Sequence, residues 1–388
     1  MFLFSLPLYL STFAVLSSTQ VLAWQVDVDC SFNSAGALLA GLTEPSLQLG
    51  NDLARHVSLA TLEAQSIAMY MAKKALMGPR VGNLMQDLLG APSEDDSETL
   101  AWIGTSVTNI IAAMNVPSTN EGGGTGLIIK CTDSHLTPID PLRGIFRDKK
   151  RKNVRVQVPR IGTLNPQTAC GYGLQGFTYG YPGGQVIVLC SDSPWGAAKV
   201  YNEVTLNKWR HAGDLRLNPL VISKGVDGMA GALSVKLLHE LFHVGGIAFQ
   251  QAGGTGTPNQ FPGTLPEKEG NARISEVYTW KDISGKNVGS PETHSKRLSH
   301  KNALHNADSM ALLGAGWYVP NYGWVDGACK TVKKANRSPL QYDGQGIPAA
   351  PDGYGGFENI DSALYPEKRA IPERKGGGNS YGAFVHRT

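Results

Sequence analysis

Charge is scarce in this sequence. Only 17% of its 388 residues are Asp, Glu, Lys or Arg, and the formal net charge is +3. So small an excess excludes a nucleic-acid partner held by bulk electrostatics. Long apolar runs are missing beyond the first 23 residues, and a membrane span needs about 20 apolar residues, so no later segment offers stable membrane association. The C-terminal GGGNSYGAFVHRT has no hydrophobic tail, so no lipid-anchor signal is expected there. Cysteine is limited to five residues, and their spacing fits no zinc finger. No internal repeat is visible.

Glycine (46) and proline (22) are abundant, and 41% of residues are hydrophobic, enough for a real core. This is the profile of a loop-rich extracellular protein. The length allows two or three average domains or one larger domain with extensions. Residues 1–23, MFLFSLPLYLSTFAVLSSTQVLA, lack a charged start. They are apolar, then small, and VLA before Trp24 offers a cleavage site. We read them as a signal peptide and the protein as secreted. In an oxidising compartment the cysteines predict two disulfides and one thiol. Cys170 and Cys190 flank a hairpin-like stretch and form the first expected pair; Cys30 is left to join Cys131 or Cys329.

The hydrophobic periodicity predicts an α+β fold. Residues 45–115 read as helical, with Leu47, Leu53, Val57, Leu62, Ile67 and Met71 at helical spacing and a second helix around 98–114. His56 has no partner at helical spacing and is expected on the surface or in the core. GLIIKCTD (126–133), NVRVQVP (153–159) and QVIVLC (185–190) read as strands of a small sheet. Between the first two lies RDKKRKNVR, whose Lys150-Arg151 pair suits a processing site or a polyanion; a solvated hairpin tip is the simpler reading. A helix starting near Gly228 should stop at Gly245-Gly246. Further helices are expected in NARISEVYTW and HKNALHNADSMALLGAGWYV. From residue 333 to 388 the chain is Gly- and Pro-rich without a period and reads as an extended or disordered tail, leaving 24–332 as the domain.

The most informative stretch is VKLLHELFHVGGIAF (235–249). His239, Glu240 and His243 form the pattern H-E-x-x-H. On a helix, residues four apart differ by only about 40° around the axis, so both imidazoles share one face. Two such rings can bind one Zn²⁺. Glu240 lies about 100° from His239, near enough to reach a metal-bound water. Zinc lowers the pKa of that water toward ~7, and the carboxylate takes its proton. Val235, Leu238, Leu241 and Phe242 face the other way and should anchor the helix in a core. A third ligand is required. Phe249 stands where a metzincin has its last histidine, which argues against that subclass. Glu276, Asp282 and Asp308 are the nearer acidic candidates; His294, His300 and His305 read as loop or surface histidines.

In the order of its elements the chain resembles the fungal secreted zinc endopeptidases of the deuterolysin type, the aspzincins. Helices come first, then IIKCTD, QVIVLC, LLHELFHV, ISEVYTW and NADSMALLGAGWYV, across about residues 40–320. The resemblance implies a zincin fold, one catalytic Zn²⁺ and hydrolysis of peptide bonds in protein or peptide substrates; a monomer is expected. It makes His239 and His243 zinc ligands, Glu240 the general base and Tyr278 a donor to the developing oxyanion. The family's third ligand is an aspartate three residues before that tyrosine. Ser275 stands there instead, so Glu276 beside it is expected to be the ligand, with Asp308 next. Asp308 is otherwise expected to support the site without touching the metal. The departure at Ser275 also allows a catalytically inactive zincin-fold protein acting as a binding module.

Overall fold

In helix α1 (Leu47–Met77), Leu53, Val57, Ala60, Ala64, Ile67 and Met71 recur at alternating intervals of three and four and are all buried. The computed structural model describes residues 25–26, 30, 47–77, 83–114, 126–158, 167–172, 174–191, 196–198, 201–206, 224–251, 268–269, 272–273, 277–319 and 322–331. The expected signal peptide (1–23) and tail (333–388) lie outside these residues. After α1 come the short α2 (Leu84–Leu89), which ends on a left-handed Gly90, and α3 (Ser97–Met114). The buried face of α1 packs on α3, on α4 (Leu233–Gln251) and on α7 (Ala307–Tyr318).

The main sheet joins β1 (Gln25–Val26), β2 (Gly126–Lys130), β7 (Gly184–Leu189) and β6 (Gly176–Tyr181) in that order. β1, β2 and β7 run parallel, and β6 turns back antiparallel at the edge through Pro182-Gly183. Every residue of β7 is buried, as a strand covered on both faces requires. α4 covers one face. On the other lies a three-stranded antiparallel sheet of β3 (Leu136–Asp140), β4 (Ile145–Asp148) and β5 (Val154–Gln157). Phe146 and Val156 meet Phe177, Tyr179, Val186 and Val188 in the core between the two sheets. The fold is therefore α+β with small sheets. No described helix is long and apolar enough to cross a membrane.

Disulfides join Cys30 to Cys131 and Cys170 to Cys190, and Cys329 is the free thiol, so Cys131 is the partner that the sequence left open. His56 bonds the Tyr201 hydroxyl at 2.7 Å. The run at 149–152 forms the β4–β5 hairpin tip, as the simpler reading expected.

Four helix expectations differ from the structure. Gly225–Gly231 is a 3-10 segment, and α4 begins only at Leu233. Gly245-Gly246 does not stop α4, which runs on to Gln251. Gly245 serves a close crossing instead: a Cβ there would lie 3.0 Å from Ile110 Cγ1 and 3.4 Å from the Ser106 carbonyl of α3. The stretch NARISEVYTW is not one helix. Its Ala272–Arg273 is β9, paired with β8 (Lys268–Glu269), and helix α5 (Trp280–Ser284) begins only at its last residue. The last predicted helix is broken at Asn306, whose extended backbone separates α6 (His300–His305) from α7. β10 (Tyr322–Val325) and β11 (Ala328–Thr331) close the described chain as a hairpin.

Candidate metal centre

α4 is buried almost all round because it lies between the other helices and the main sheet. Val235, Leu238, Leu241 and Phe242 are buried, as expected. Over residues 233–246 the partly exposed side chains are Lys236, His239 and His243. Their spacing of three and four draws one open stripe along the helix.

On that stripe the two histidines converge: His239 Nε2 and His243 Nε2 are 3.2 Å apart. Two nitrogens each about 2.05 Å from one tetrahedral ion stand about 3.3 Å apart. The pair therefore fits two corners of a zinc site. Asp308, in the first turn of α7, places Oδ1 3.2 Å from His239 Nδ1. An ionised carboxylate only accepts, so it places the ring proton on Nδ1 and turns the Nε2 lone pair of His239 toward His243 Nε2.

Tyr278 stacks on His239, with ring centroids 6.1 Å apart and planes 25° from parallel. Tyr278 is 48% exposed. Asn306 fixes its position. Asn306 Oδ1 accepts from Val277 N at 3.2 Å, and Asn306 Nδ2 donates to Val277 O at 2.9 Å. Asn306 Nδ2 also meets Ser309 Oγ at 2.8 Å. The NADS segment thus ties down two parts of the site: Asn306 clamps the backbone of Val277 next to Tyr278, and Asp308 orients His239.

Glu240 is buried beside β6. Thr178 Oγ1 donates to Glu240 Oε2 at 2.7 Å. Opposite Glu240 Oε1 lies Gly176, where a Cβ would come within 3.0 Å. The alternation of β6 explains the arrangement: Thr178 faces α4, while Tyr179 faces the second sheet and donates to Asp148 Oδ2 at 2.7 Å. Two further charges border the site. Burial pushes the Asp227 carboxyl up to about 6, and neighbouring Asp308 and Asp282 add to the rise, although Asp227 accepts a bond from Trp280 N at 2.7 Å. Burial lowers the Lys236 ammonium to about 8.

The described residues bring His239, His243, Tyr278 and Asp308 together, whereas the Glu240 carboxylate turns to Thr178 of β6. Glu276 and Ser275 lie outside them. Among the described residues no group of three His, Cys, Asp or Glu side chains is set to hold a metal. Asp308 is engaged by His239 Nδ1, on the far side of that ring from Nε2. Asp282 lies in the first turn of α5, where it accepts from Thr279 Oγ1 at 2.7 Å. His300 bonds the Leu89 carbonyl, His305 meets Trp102 edge-on and His294 is exposed, all apart from the pair. Sequence reading missed Thr178, Lys236 and the clamp of Asn306. Helical spacing from His239 marks Lys236; nothing in the sequence aligns Thr178 with Glu240. No family model matches this chain, and no curated protein matches it.

Proposed function

We propose that the chain is a secreted zinc metalloendopeptidase of the zincin type, akin to the deuterolysin-like enzymes it resembles. The observation that carries this reading is the 3.2 Å approach of two Nε2 atoms, with Asp308 holding the Nδ1 proton of the first. The signal-like start and two disulfides suit an extracellular site of action. His239 and His243, with Glu276 as third ligand, would hold a zinc ion, which when bound would supply Lewis acidity. Glu240 takes the proton from the attacking water and returns it to the leaving amine. Tyr278, open to solvent and stacked on His239, donates its O–H to the carbonyl oxygen as negative charge gathers there. Asp308 keeps His239 in one tautomer throughout. Casein hydrolysis by the zinc-loaded protein tests the proposal: Glu240→Ala should lower the rate by at least about a hundredfold with zinc retained. Equal rates in the two proteins would refute it.

A second reading is a zinc-binding protein without peptidase activity. Ser275 at the family's ligand position and the Thr178 bond to Glu240 favour it. Zinc uptake with no hydrolysis of casein by the unmodified protein would select this alternative. Loss of zinc affinity and turnover in Glu276→Ala would support Glu276 as the third ligand; full retention of both would exclude it.

A further inference from the structure

The three-stranded sheet on the side of the main sheet away from α4 has an unusual charge. Between Leu136 and Gln157 the chain carries seven Lys and Arg against two Asp, while the whole chain nets only +3. The remainder of the chain is therefore net negative. Register and burial show where the positive charge goes. Phe146, Asp148 and Val156 point inward, and Arg147 and Arg155 stand directly opposite each other on the outer face. Like charges directly opposite across strands weaken a sheet. Lys149, Lys150 and Lys152 extend the same exposed charge over the hairpin tip, and the backbone of Lys152 is held at φ 54°. Arg151 is the exception in the run. Its guanidinium turns inward to Asp148 Oδ2 at 2.8 Å and lies over the Tyr181 ring. That buried pairing removes Arg151 from the reach of a processing enzyme and makes it the anchor of the tip. The outward cations Arg147, Lys149, Lys150, Lys152 and Arg155 make no ion pair among the described residues.

From this arrangement we propose that the outer face of β3–β4–β5 and its tip bind an anionic polysaccharide through its carboxylate or sulfate groups. Five cations on a strand pair and its turn complement a linear polyanion lying along β4. Thr137 and Gln157 share the outer face with the arginines and neither is aromatic, so stacked nucleobases find no platform there. The exposed apolar side chains Ile139 and Leu142 sit at the opposite end of the strands from the lysines, about 14 Å away along four residues. The cationic tip therefore carries no apolar wedge for a membrane. This surface stands independently of the metal centre.

The experiment compares the full-length protein with Arg147→Gln/Lys149→Gln/Lys150→Gln/Arg155→Gln for binding to heparin, polygalacturonate, a single-stranded oligonucleotide and phosphatidylserine vesicles. Circular dichroism confirms that each protein is folded. The proposal predicts that heparin or polygalacturonate binds the unmodified protein more tightly than the other two probes, and that the variant binds it at least about tenfold more weakly. Preference for heparin over polygalacturonate would identify sulfate as the recognised group, and the reverse would identify carboxylate. Unchanged polysaccharide affinity in the variant, no polysaccharide binding, or tighter binding to oligonucleotide or vesicles would overturn it.

Discussion

His239 has two ring nitrogens, and Asp308 decides between them. Because the carboxylate accepts from Nδ1, the lone pair on Nε2 points toward His243. Asp308→Asn removes the charge that enforces this tautomer while keeping the shape. Its zinc affinity should fall about 10- to 100-fold in competition with a chelator, and an unchanged affinity would count against the role of Asp308. Asp227 makes a different prediction. Its folded carboxyl keeps its proton up to about pH 6, whereas an unfolded chain releases it near 4. Between those values the folded state binds more protons, so stability falls as pH rises from about 4 to 6 and the loss persists above. Asp227→Asn should therefore raise the urea-unfolding stability above pH 6 by about 1–3 kcal/mol, with little effect near pH 4. A variant destabilised at pH 7 would contradict this. The histidine pair and Glu240 were legible because the helix repeat fixes their directions. The bond from Thr178 to Glu240 was not, because it joins residues 62 positions apart and depends on how β6 lies against α4.

At the scale of the element, α4 rests on close packing as well as on its apolar face. Gly245 allows α3 to approach so nearly that a side chain there would have to push Ile110 aside. Gly245→Val should cost about 1–3 kcal/mol in denaturant unfolding; a neutral result would mean that the crossing relaxes freely. The same position shows how local signals mislead. A glycine pair after an apolar run reads as a helix stop, yet here the pair lies within α4. The opposite error occurred at Asp326-Gly327. This dipeptide often marks a tight hairpin, and the turn indeed has both residues at positive φ, but the sequence reading passed over it. At Asn306 the helical pattern continues while the chain does not. The side chain there bonds Val277 rather than letting one helix pass through. Contacts of that kind arise between distant segments and leave no periodic trace.

For the whole molecule, the α+β class was legible in alternating and helical stretches, whereas the order β1-β2-β7-β6 was not, since strand neighbours come from distant parts of the chain. The disulfides were half legible: Cys170 and Cys190 are linked across a hairpin, but Cys30 had two partners within reason. Their sequence separations, 101 and 20, set their expected contributions. On loop entropy alone, Cys30→Ala/Cys131→Ala should destabilise the fold by about 1.4 kcal/mol more than Cys170→Ala/Cys190→Ala. Equilibrium unfolding of the two variants measures the difference; equal losses would show that the long loop does not govern it. Above these details stands one claim, that α4 presents a pair of imidazoles to a single metal ion. The most direct measurement is zinc stoichiometry by elemental analysis of the purified full-length protein beside His239→Ala/His243→Ala. The account predicts about one zinc per chain in the first and none in the folded variant. Zinc absent from the first even after incubation with the metal, or retained undiminished by the second, would contradict it.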